Sequence, residues 1–227
     1  MKTTIEAVLA GKAQPFGPNG EPSAVRKRPV SGVVEFGPEG LGGDEQAYHG
    51  HGGVEKAVLH YASEHYDQWR RRFHSFSLEP GGFGENLATR GVTERDVCLG
   101  DRYRVGEELL LELTQPRQPC WKLGHNAGIR EIPRVLQEEA ATGWYYRVVS
   151  PGRVQGGMEL ELVSRPYPEW DLSRFLTGFY GTPEDESFLR SALEVETLGE
   201  EMRSAIEKRL RTGAVEDWQG RLYGPLL

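Results

Sequence analysis

The sequence contains little that would support a disulfide, a membrane span or export. Only two of its 227 residues are cysteines, Cys98 and Cys120, and we expect no structural disulfide in a chain predicted to be intracellular. Apolar runs such as Leu109–Leu111 fall far short of the roughly 20 residues that a membrane helix needs. The N-terminal segment, which carries Lys2 and Glu6, has too brief an apolar run for a signal peptide. We therefore expect a cytoplasmic protein with no membrane partner.

An excess of positive charge is missing as well, because 27 lysines and arginines stand against 34 aspartates and glutamates, for a net charge of −7. A general nucleic-acid-binding surface is therefore not expected, although a single cleft can still be basic. The phosphate motifs G-x-G-x-x-G after a strand and G-x-x-x-x-G-K-[ST] are absent, which disfavours the common NAD and ATP sites. A flavin fingerprint and a cysteine set for an iron–sulfur cluster are also missing.

The first three quarters of the chain have the pattern of a β-rich domain. Short strands are separated by glycine-marked turns, as in a hairpin with its turn near Gly106 and a strand over 108–114. Helices are predicted only over 63–73 and 133–141. The regular strand–helix alternation of a nucleotide-binding fold is absent, so this pattern favours a β-barrel or a β-sandwich.

The pattern changes after Pro166. Three segments now carry apolar residues at the i, i+3, i+4 and i+7 spacing of a helix face, namely Leu172–Phe179, Phe188–Leu193 and Met202–Leu210. We therefore predict a mainly β fold with α, in which a barrel or sandwich domain over 1–166 precedes a three-helix subdomain over 167–227.

The segment TQPRQPCWKLG places Cys120 in a loop that two prolines stiffen. Arg117 and Lys122 lie close to the cysteine in sequence, and nearby positive charge lowers the pKa of a thiol. The thiolate is the form that attacks electrophiles or binds soft metals, so the pattern favours a functional thiol over a merely buried one. Cys98, within the strand-like segment DVCLGD, is expected to be an ordinary buried residue.

Glycine-rich segments bring further polar side chains onto a backbone that can bend sharply. In HGHGGVEKAVLHY, backbone N–H groups at Gly52 and Gly53 are typical of an anion nest, which Lys56 could close on a phosphate. In GGFGENLATRGV, Asn86 can both donate to and accept from the edge of an amide-like heterocycle. The segment GLGGDEQ offers Asp44 in a similar turn. Taken alone, each segment is equally compatible with an ordinary glycine turn.

Two other chemistries have to be weighed. A zinc site could use His49, His51, His60 and His65, but neither a cysteine pair nor an H-E-x-x-H motif accompanies these histidines. A Cys–His hydrolase would pair Cys120 with His125, or with a histidine brought near by folding. No local signature of such hydrolases is present, which makes this the weaker enzyme hypothesis.

Taken in order, five segments of the chain resemble the MOSC family, named for the C-terminal domain of molybdenum cofactor sulfurase: GLGGDEQ, HGGVEKAVLHY, FGENLATRGV, VCLGDRYRVG and TQPRQPCWKL. The similarity is closest to the bacterial YiiM-like branch, also called 6-N-hydroxylaminopurine resistance proteins, whose members carry a C-terminal three-helix extension. The resemblance spans nearly the whole chain. It implies a β-barrel-like MOSC domain that binds the molybdenum cofactor, a molybdopterin complex of molybdenum.

The resemblance also implies a site and an activity. Cys120 is expected to ligate molybdenum, and the protein is expected to reduce N-hydroxylated compounds such as hydroxylaminopurine base analogues, as a detoxification. Arg117 and Lys122 would offset the charge of the anionic cofactor. Asn86 would meet the hydrogen-bonding edge of the pterin.

The remaining candidates come from the glycine segment. Gly52, Gly53 and Lys56 are assigned to the terminal phosphate of the cofactor. His51 is assigned to the same site and to proton donation during N–O cleavage, because histidine titrates near neutral pH.

Electrons for such a reduction would come from a separate donor protein, since the chain lacks a redox cofactor motif of its own. The alternative is a non-catalytic carrier, in which Cys120 holds molybdenum cofactor or a persulfide for delivery. The two hypotheses differ in one structural feature, because only the reductase needs a substrate-sized opening beside Cys120.

Overall fold

A closed barrel of seven strands forms the centre of the computed structural model, which describes residues 1–47 and 52–224. The strands in chain order are β1 (Lys2–Ala10), β2 (Gln14–Pro15), β3 (Pro22–Ser23), β4 (Arg28–Pro29), β5 (Val34–Gly37), β6 (Gly40–Leu41), β7 (Val58–Ala62), β8 (Leu87–Thr89), β9 (Arg102–Val105), β10 (Leu109–Pro116), β11 (Trp144–Ser150), β12 (Gly152–Val154) and β13 (Glu159–Ser164). The barrel order is β13, β9, β10, β11, β7, β8 and β1, and β1 pairs with β13 to close it. This arrangement confirms the predicted fold class.

The helices lie outside the barrel, and those of the C-terminal part follow its last strand in the chain. They are α1 (Ser63–Arg72), α2 (Trp121–Ala127), α3 (Ile132–Glu138), α4 (Leu172–Leu176), α5 (Glu186–Leu193), α6 (Glu200–Thr212) and α7 (Gln219–Tyr223), with a 3₁₀ turn over Val54–Lys56 and a π turn over Thr177–Gly181. Within residues 1–47 and 52–224, every helix falls short of the length and apolar character needed to cross a bilayer.

The predicted hairpin is confirmed, because β9 and β10 pair antiparallel around a turn at Gly106, where φ is 60°. The strand β7 is followed by α1 and then by β8, which pairs parallel with β7. The connection through α1 is what a parallel pair requires, since a tight turn cannot join parallel strands. Among the described barrel strands, β7 and β8 form the one parallel pair, and the other neighbours pair antiparallel.

The barrel and the C-terminal helices share one apolar core. Leu111 and Trp144 from the barrel belong to the same buried cluster as Phe175 and Ile206 from the helical part. The predicted boundary at residue 166 lies in the loop between β13 and α4, and the division into two units stays a prediction. Three predicted C-terminal helices are present, and α7 is an additional one that the apolar pattern did not indicate.

A second cluster lies on the other side of the barrel wall. There α1, α2 and α3 pack around Trp69 and Leu123, both fully buried. This packing fixes α2, and α2 in turn fixes the end of the loop that carries Cys120.

Candidate functional site

Cys120 lies where the loop after β10 becomes α2. The strand ends at Pro116, and the Cys120 backbone is extended, with φ −127° and ψ 165°, immediately before the first residue of α2. The Cys120 carbonyl accepts a hydrogen bond of 3.0 Å from the Leu123 N–H, which closes the first turn of the helix. The thiol is free and partly exposed. Two ordered elements therefore hold the loop at its ends.

Two adjoining cavities meet at Cys120. The inner cavity, of about 60 Å³, reaches the buried residues Lys27, Asn86 and Arg117. The outer cavity, of about 390 Å³, reaches Glu201 and the C-terminal helix α7. Its volume falls in the range of roughly 300–1,000 Å³ that small-molecule sites occupy. Five residues line both cavities: Lys56, Gln118, Cys120, Lys122 and Tyr145.

Arg117 places a buried positive charge at the inner cavity. Only 7% of the residue is exposed, and its backbone N–H donates to the Gly143 carbonyl at 2.9 Å. Within the described part of the chain, the guanidinium nitrogen Nη1 is buried and has no hydrogen-bond partner. An unpaired buried donor of a charged group is costly, so this nitrogen is suited to an anionic ligand in the cavity.

A hydrogen-bond network fixes the far wall of the inner cavity. The Nζ of Lys27 lies 2.5 Å from Oδ2 of Asp44, and the same oxygen accepts a bond of 2.9 Å from Nδ2 of Asn86. Oδ1 of Asn86 accepts from the Leu59 N–H at 3.1 Å, and Nδ2 also donates to the Leu9 carbonyl at 3.3 Å. Asn86 thus joins three segments, and its predicted role toward a pterin stays a prediction.

Burial governs the charge state of this wall. It lowers the pKa of Lys27, and the Asp44 carboxylate opposes that shift. Burial also raises the pKa of Glu85, whose Oε1 accepts from the Gly81 N–H at 2.6 Å and from the Tyr66 hydroxyl at 2.7 Å. Glu85 therefore contributes to the support of the site through its bonds to the backbone and to Tyr66.

Lys122 and Lys56 add positive charge at the place where the two cavities meet. The Nζ of Lys122 donates to the Pro22 carbonyl at 2.8 Å and lies 5.9 Å from the centre of the Trp121 ring. The Nζ of Lys56 lies 2.6 Å from Oε2 of Glu201. The site is thus a basic pocket in an acidic protein, as the sequence allowed.

Tyr145, on β11, brings a hydroxyl to both cavities. Burial raises the pKa of Tyr145 to about 12. The hydroxyl is therefore protonated at neutral pH and can donate a hydrogen bond into the space beside Cys120.

The structure brings Cys120, Arg117, Lys122, Lys56 and Asn86 together around the inner cavity, and their roles toward a cofactor stay predictions. Gly52 and Gly53 instead line a third, more open cavity, together with Asp44 and Gln46. Their assignment to a phosphate stays a prediction. His51 lies outside the described residues, so its predicted roles also stay predictions.

Two other candidate histidines, His60 and His65, have structural partners. His60 is fully buried between the Tyr146 hydroxyl at 3.1 Å and Oγ1 of Thr89 at 2.8 Å, and burial lowers its pKa to about 3. Nε2 of His65 lies 2.7 Å from Oε2 of Glu94.

His125, the neighbour of Cys120 in sequence, packs edge-on against Phe16 and Trp121 instead of pairing with the thiol. In residues 1–47 and 52–224, no group of three or more histidine, cysteine or acidic side chains is placed to hold a metal. His49 and His51, two of the candidate zinc ligands in the sequence, lie outside those residues. Cys98 is buried as predicted, and burial raises its pKa to about 11.

Sequence reasoning missed several residues of the two cavities, among them Lys27, Tyr145, Glu201 and Arg221. Lys27 stands between two arginines in AVRKRPV, and the sequence has no signal that separates the buried cation from its exposed neighbours. Glu201 and Arg221 belong to the C-terminal helices, whose relation to the barrel depends on tertiary packing.

Three comparisons with known proteins bear on this site. A model of the MOSC domain matches residues 47–161. Protein YiiM from Escherichia coli (strain K12) is 37% identical over 220 residues, 96% of this chain and 97% of that protein. A protein named Reductase from Gibberella moniliformis is 37% identical over 171 residues, 73% of this chain and 30% of that protein. The crystal structure of YiiM from Escherichia coli has a TM-score of 0.83 at 32% identity, and the match covers 99% of this chain and 100% of that chain.

Proposed function

Because the chain belongs to the MOSC domain family, we propose that it is a molybdenum-cofactor-dependent reductase of N-hydroxylated compounds, such as hydroxylaminopurine base analogues. The observation that carries this proposal is the position of Cys120, which lies where a cavity with a buried, unpartnered arginine nitrogen meets a substrate-sized one. The Gibberella moniliformis relative is named Reductase, which supports reductase activity in general.

The residues of the pocket fit an anionic, metal-bearing cofactor. The free thiol of Cys120 is a soft ligand, and molybdenum in this cofactor brings sulfur ligands of its own, so one protein ligand completes a sulfur-rich set. This chemistry does not need a cluster of protein ligands. Nη1 of Arg117 offers a buried donor that an anionic group would satisfy.

The two cavities suggest how the cofactor would be divided between them. The inner cavity, of about 60 Å³, has room for a phosphate-sized group but not for a tricyclic pterin. We assign it to the phosphate end, where Arg117 and Lys27 provide positive charge. This proposal replaces the phosphate role predicted for Gly52 and Gly53, which line another cavity, and the pterin role predicted for Asn86, which lines this one. The outer cavity, of about 390 Å³, has room for a larger group. Lys122 and Lys56 lie between the two and would face the linking part of the cofactor.

The overall reaction reduces R–NH–OH with two electrons and two protons to R–NH₂ and water. When bound, the cofactor supplies the two-electron reduction, which no side chain of the pocket can perform. A separate donor protein returns the electrons. The protein holds the substrate beside Cys120 and limits access of water to it.

The pocket must also handle protons. Tyr145 is protonated at neutral pH and lines both cavities, so it can orient the hydroxylamino oxygen by a hydrogen bond. His51 is the proposed proton donor. If His51 is removed, an external buffer acid should be able to take its place, because a general acid contributes only the proton that it donates.

The carrier alternative uses the same thiol and the same cavities. A carrier must also hold the cofactor, so the outer cavity of about 390 Å³ beside Cys120 is needed in either case. Turnover separates the two hypotheses, because only a reductase consumes a hydroxylamine.

The proposal is tested with protein purified from a host that makes the cofactor. Wild type, Cys120→Ala and the matched control Cys98→Ala are assayed for molybdenum, for pterin and for hydroxylamine-dependent oxidation of a reduced viologen dye. We expect activity in wild type and Cys98→Ala only. Loaded wild-type protein that oxidises no dye with any hydroxylamine would support the carrier instead.

A further inference from the structure

The last described helix, α7, holds the loop that carries Cys120. Nη1 of Arg221 donates to the Pro119 carbonyl, and Nη2 donates to Oε1 of Gln137 at 2.7 Å. Gln137 is a buried residue of α3. One guanidinium therefore connects α7, the Cys120 loop and α3. We propose that Arg221 is a positioning residue for Cys120, an inference that rests on the proposed function only for its effect on catalysis.

The Pro119 carbonyl, which accepts the bond from Arg221, determines the direction of the Cys120 backbone. It belongs to the peptide unit that joins Pro119 to Cys120, and because this unit is planar, holding its oxygen fixes the direction in which the Cys120 backbone continues. A charged donor makes a stronger hydrogen bond than a neutral one. Pro119 has no N–H through which the backbone could hold it instead.

A second contact reaches the loop on the other side of Cys120. Gly224 follows α7 with φ 76°, and a Cβ atom at this position would lie 2.9 Å from Cγ of Trp121. Glycine alone combines this backbone conformation with so close an approach. The segment around α7 thus contacts both sequence neighbours of Cys120, namely Pro119 through Arg221 and Trp121 through Gly224.

The chain before α7 is itself anchored. Arg209 of α6 donates from Nε and Nη2 to the two carboxylate oxygens of Glu216, at 3.0 and 2.6 Å. Nε1 of Trp218 donates to Glu216 at 3.0 Å. Burial opposes the ionisation of Glu216, but these hydrogen bonds outweigh it and lower its pKa to about 2. The carboxylate is charged at neutral pH and keeps these contacts. The chain before α7 is therefore anchored, and Arg221 can position the loop.

The experiment measures alkylation of Cys120 by iodoacetamide in cofactor-free protein, as a function of pH, in a Cys98→Ala background. The variants are Arg221→Ala, Arg221→Lys and the matched control Arg211→Ala, which removes an exposed arginine of α6. The rate of the fully ionised thiolate, taken from the high-pH end of the profile, reports how the loop presents the sulfur.

We expect Arg221→Ala to raise the rate of the ionised thiolate, because the constraint on the loop is lost. Arg221→Lys should not restore the background rate, since a lysine cannot make the two-pronged contact of the guanidinium. Arg211→Ala should match the background protein. If the ionised thiolate of Arg221→Ala reacts at the background rate, Arg221 does not position Cys120.

A second variant covers the case in which Arg221→Ala fails to fold. Gln137→Met removes the other partner of the guanidinium and should raise the thiolate rate in the same direction, by less. In enzyme that contains the cofactor, Arg221→Lys should lower kcat by about tenfold, because a small displacement of a reactive group slows the reaction. A loaded wild type without reductase activity would overturn the proposed function, but the alkylation profile would still decide the role of Arg221.

Discussion

The Nζ of Lys56 lies 2.6 Å from Oε2 of Glu201, so an ion pair joins the barrel side of the outer cavity to α6. Nε2 of Gln115 donates to the same oxygen at 3.3 Å. All three residues line the outer cavity with Cys120. The C-terminal helices therefore form part of the wall of the site in addition to covering the barrel.

Glu201→Gln should affect activity more than stability. Glu201 is 47% exposed, so the loss of its ion pair should lower the free energy of unfolding by at most about 1 kcal/mol. The cavity wall loses its fixed shape, and kcat/KM should fall by about tenfold. Urea unfolding and steady-state assays measure the two effects. Glu207→Gln, an exposed change on the same helix, should alter neither, and equal effects of the two variants would contradict the role of the ion pair.

Arg117→Met should separate stability from cofactor binding. The variant removes a buried charge that has an unpartnered nitrogen, so the free energy of unfolding of the cofactor-free protein should be unchanged or higher by about 1–4 kcal/mol. Pterin and molybdenum content after purification should be lost. Arg71→Met, on the exposed side of α1, is the control and should keep the cofactor. Full cofactor content in Arg117→Met would remove Arg117 from the phosphate site.

Lys27→Met should destabilise the protein, because it leaves the Asp44 carboxylate buried without its cation. The expected loss is about 3–5 kcal/mol in the free energy of unfolding. Adding Asp44→Asn should restore most of it, since a neutral amide does not need a cation. A double-mutant cycle in urea measures the coupling, with the exposed lysine variant Lys12→Met as control. Additive effects would show that the pair is not coupled.

His60 should make the protein less stable in acid. Its pKa is about 3 in the folded state and 6.5 when unperturbed, so between these values only the unfolded state binds the proton. Stability should therefore be complete above pH 6.5 and should fall toward pH 3, with a slope of about 1.4 kcal/mol per pH unit from this residue. His60→Gln should lose that slope relative to wild type, whereas the exposed variant His74→Gln should retain it. Parallel curves for wild type and His60→Gln would contradict the assignment.

The grouping of Cys120 with two cations could be predicted from the sequence because its signals are local. Two prolines, a cysteine and two cations lie within one short segment, and the structure places Cys120, Arg117 and Lys122 around one pocket. Lys27 could not be predicted in this way. It is buried by tertiary packing and held by Asp44, whereas its sequence neighbours Arg26 and Arg28 are exposed.

The sequence patterns did not predict the helices α2 and α7, and the reason is the same for both. Each is short and contains a glycine, Gly124 or Gly220, which lowers helix propensity. In α2 the glycine is required, because a Cβ atom at Gly124 would lie 2.9 Å from the Ile129 carbonyl oxygen. Packing therefore requires a residue that lowers the local helix propensity. As a result, the helices that complete the site are the hardest to predict from sequence patterns.

The central claim is that the sulfur of Cys120 is bonded to molybdenum. X-ray absorption at the molybdenum edge counts the sulfur neighbours of the metal directly, and it can be recorded on wild type, Cys120→Ser and Cys98→Ala reconstituted with the cofactor. The account predicts one sulfur neighbour fewer in Cys120→Ser than in wild type, with Cys98→Ala unchanged. The same number of sulfur neighbours in wild type and Cys120→Ser, at equal molybdenum content, would contradict it.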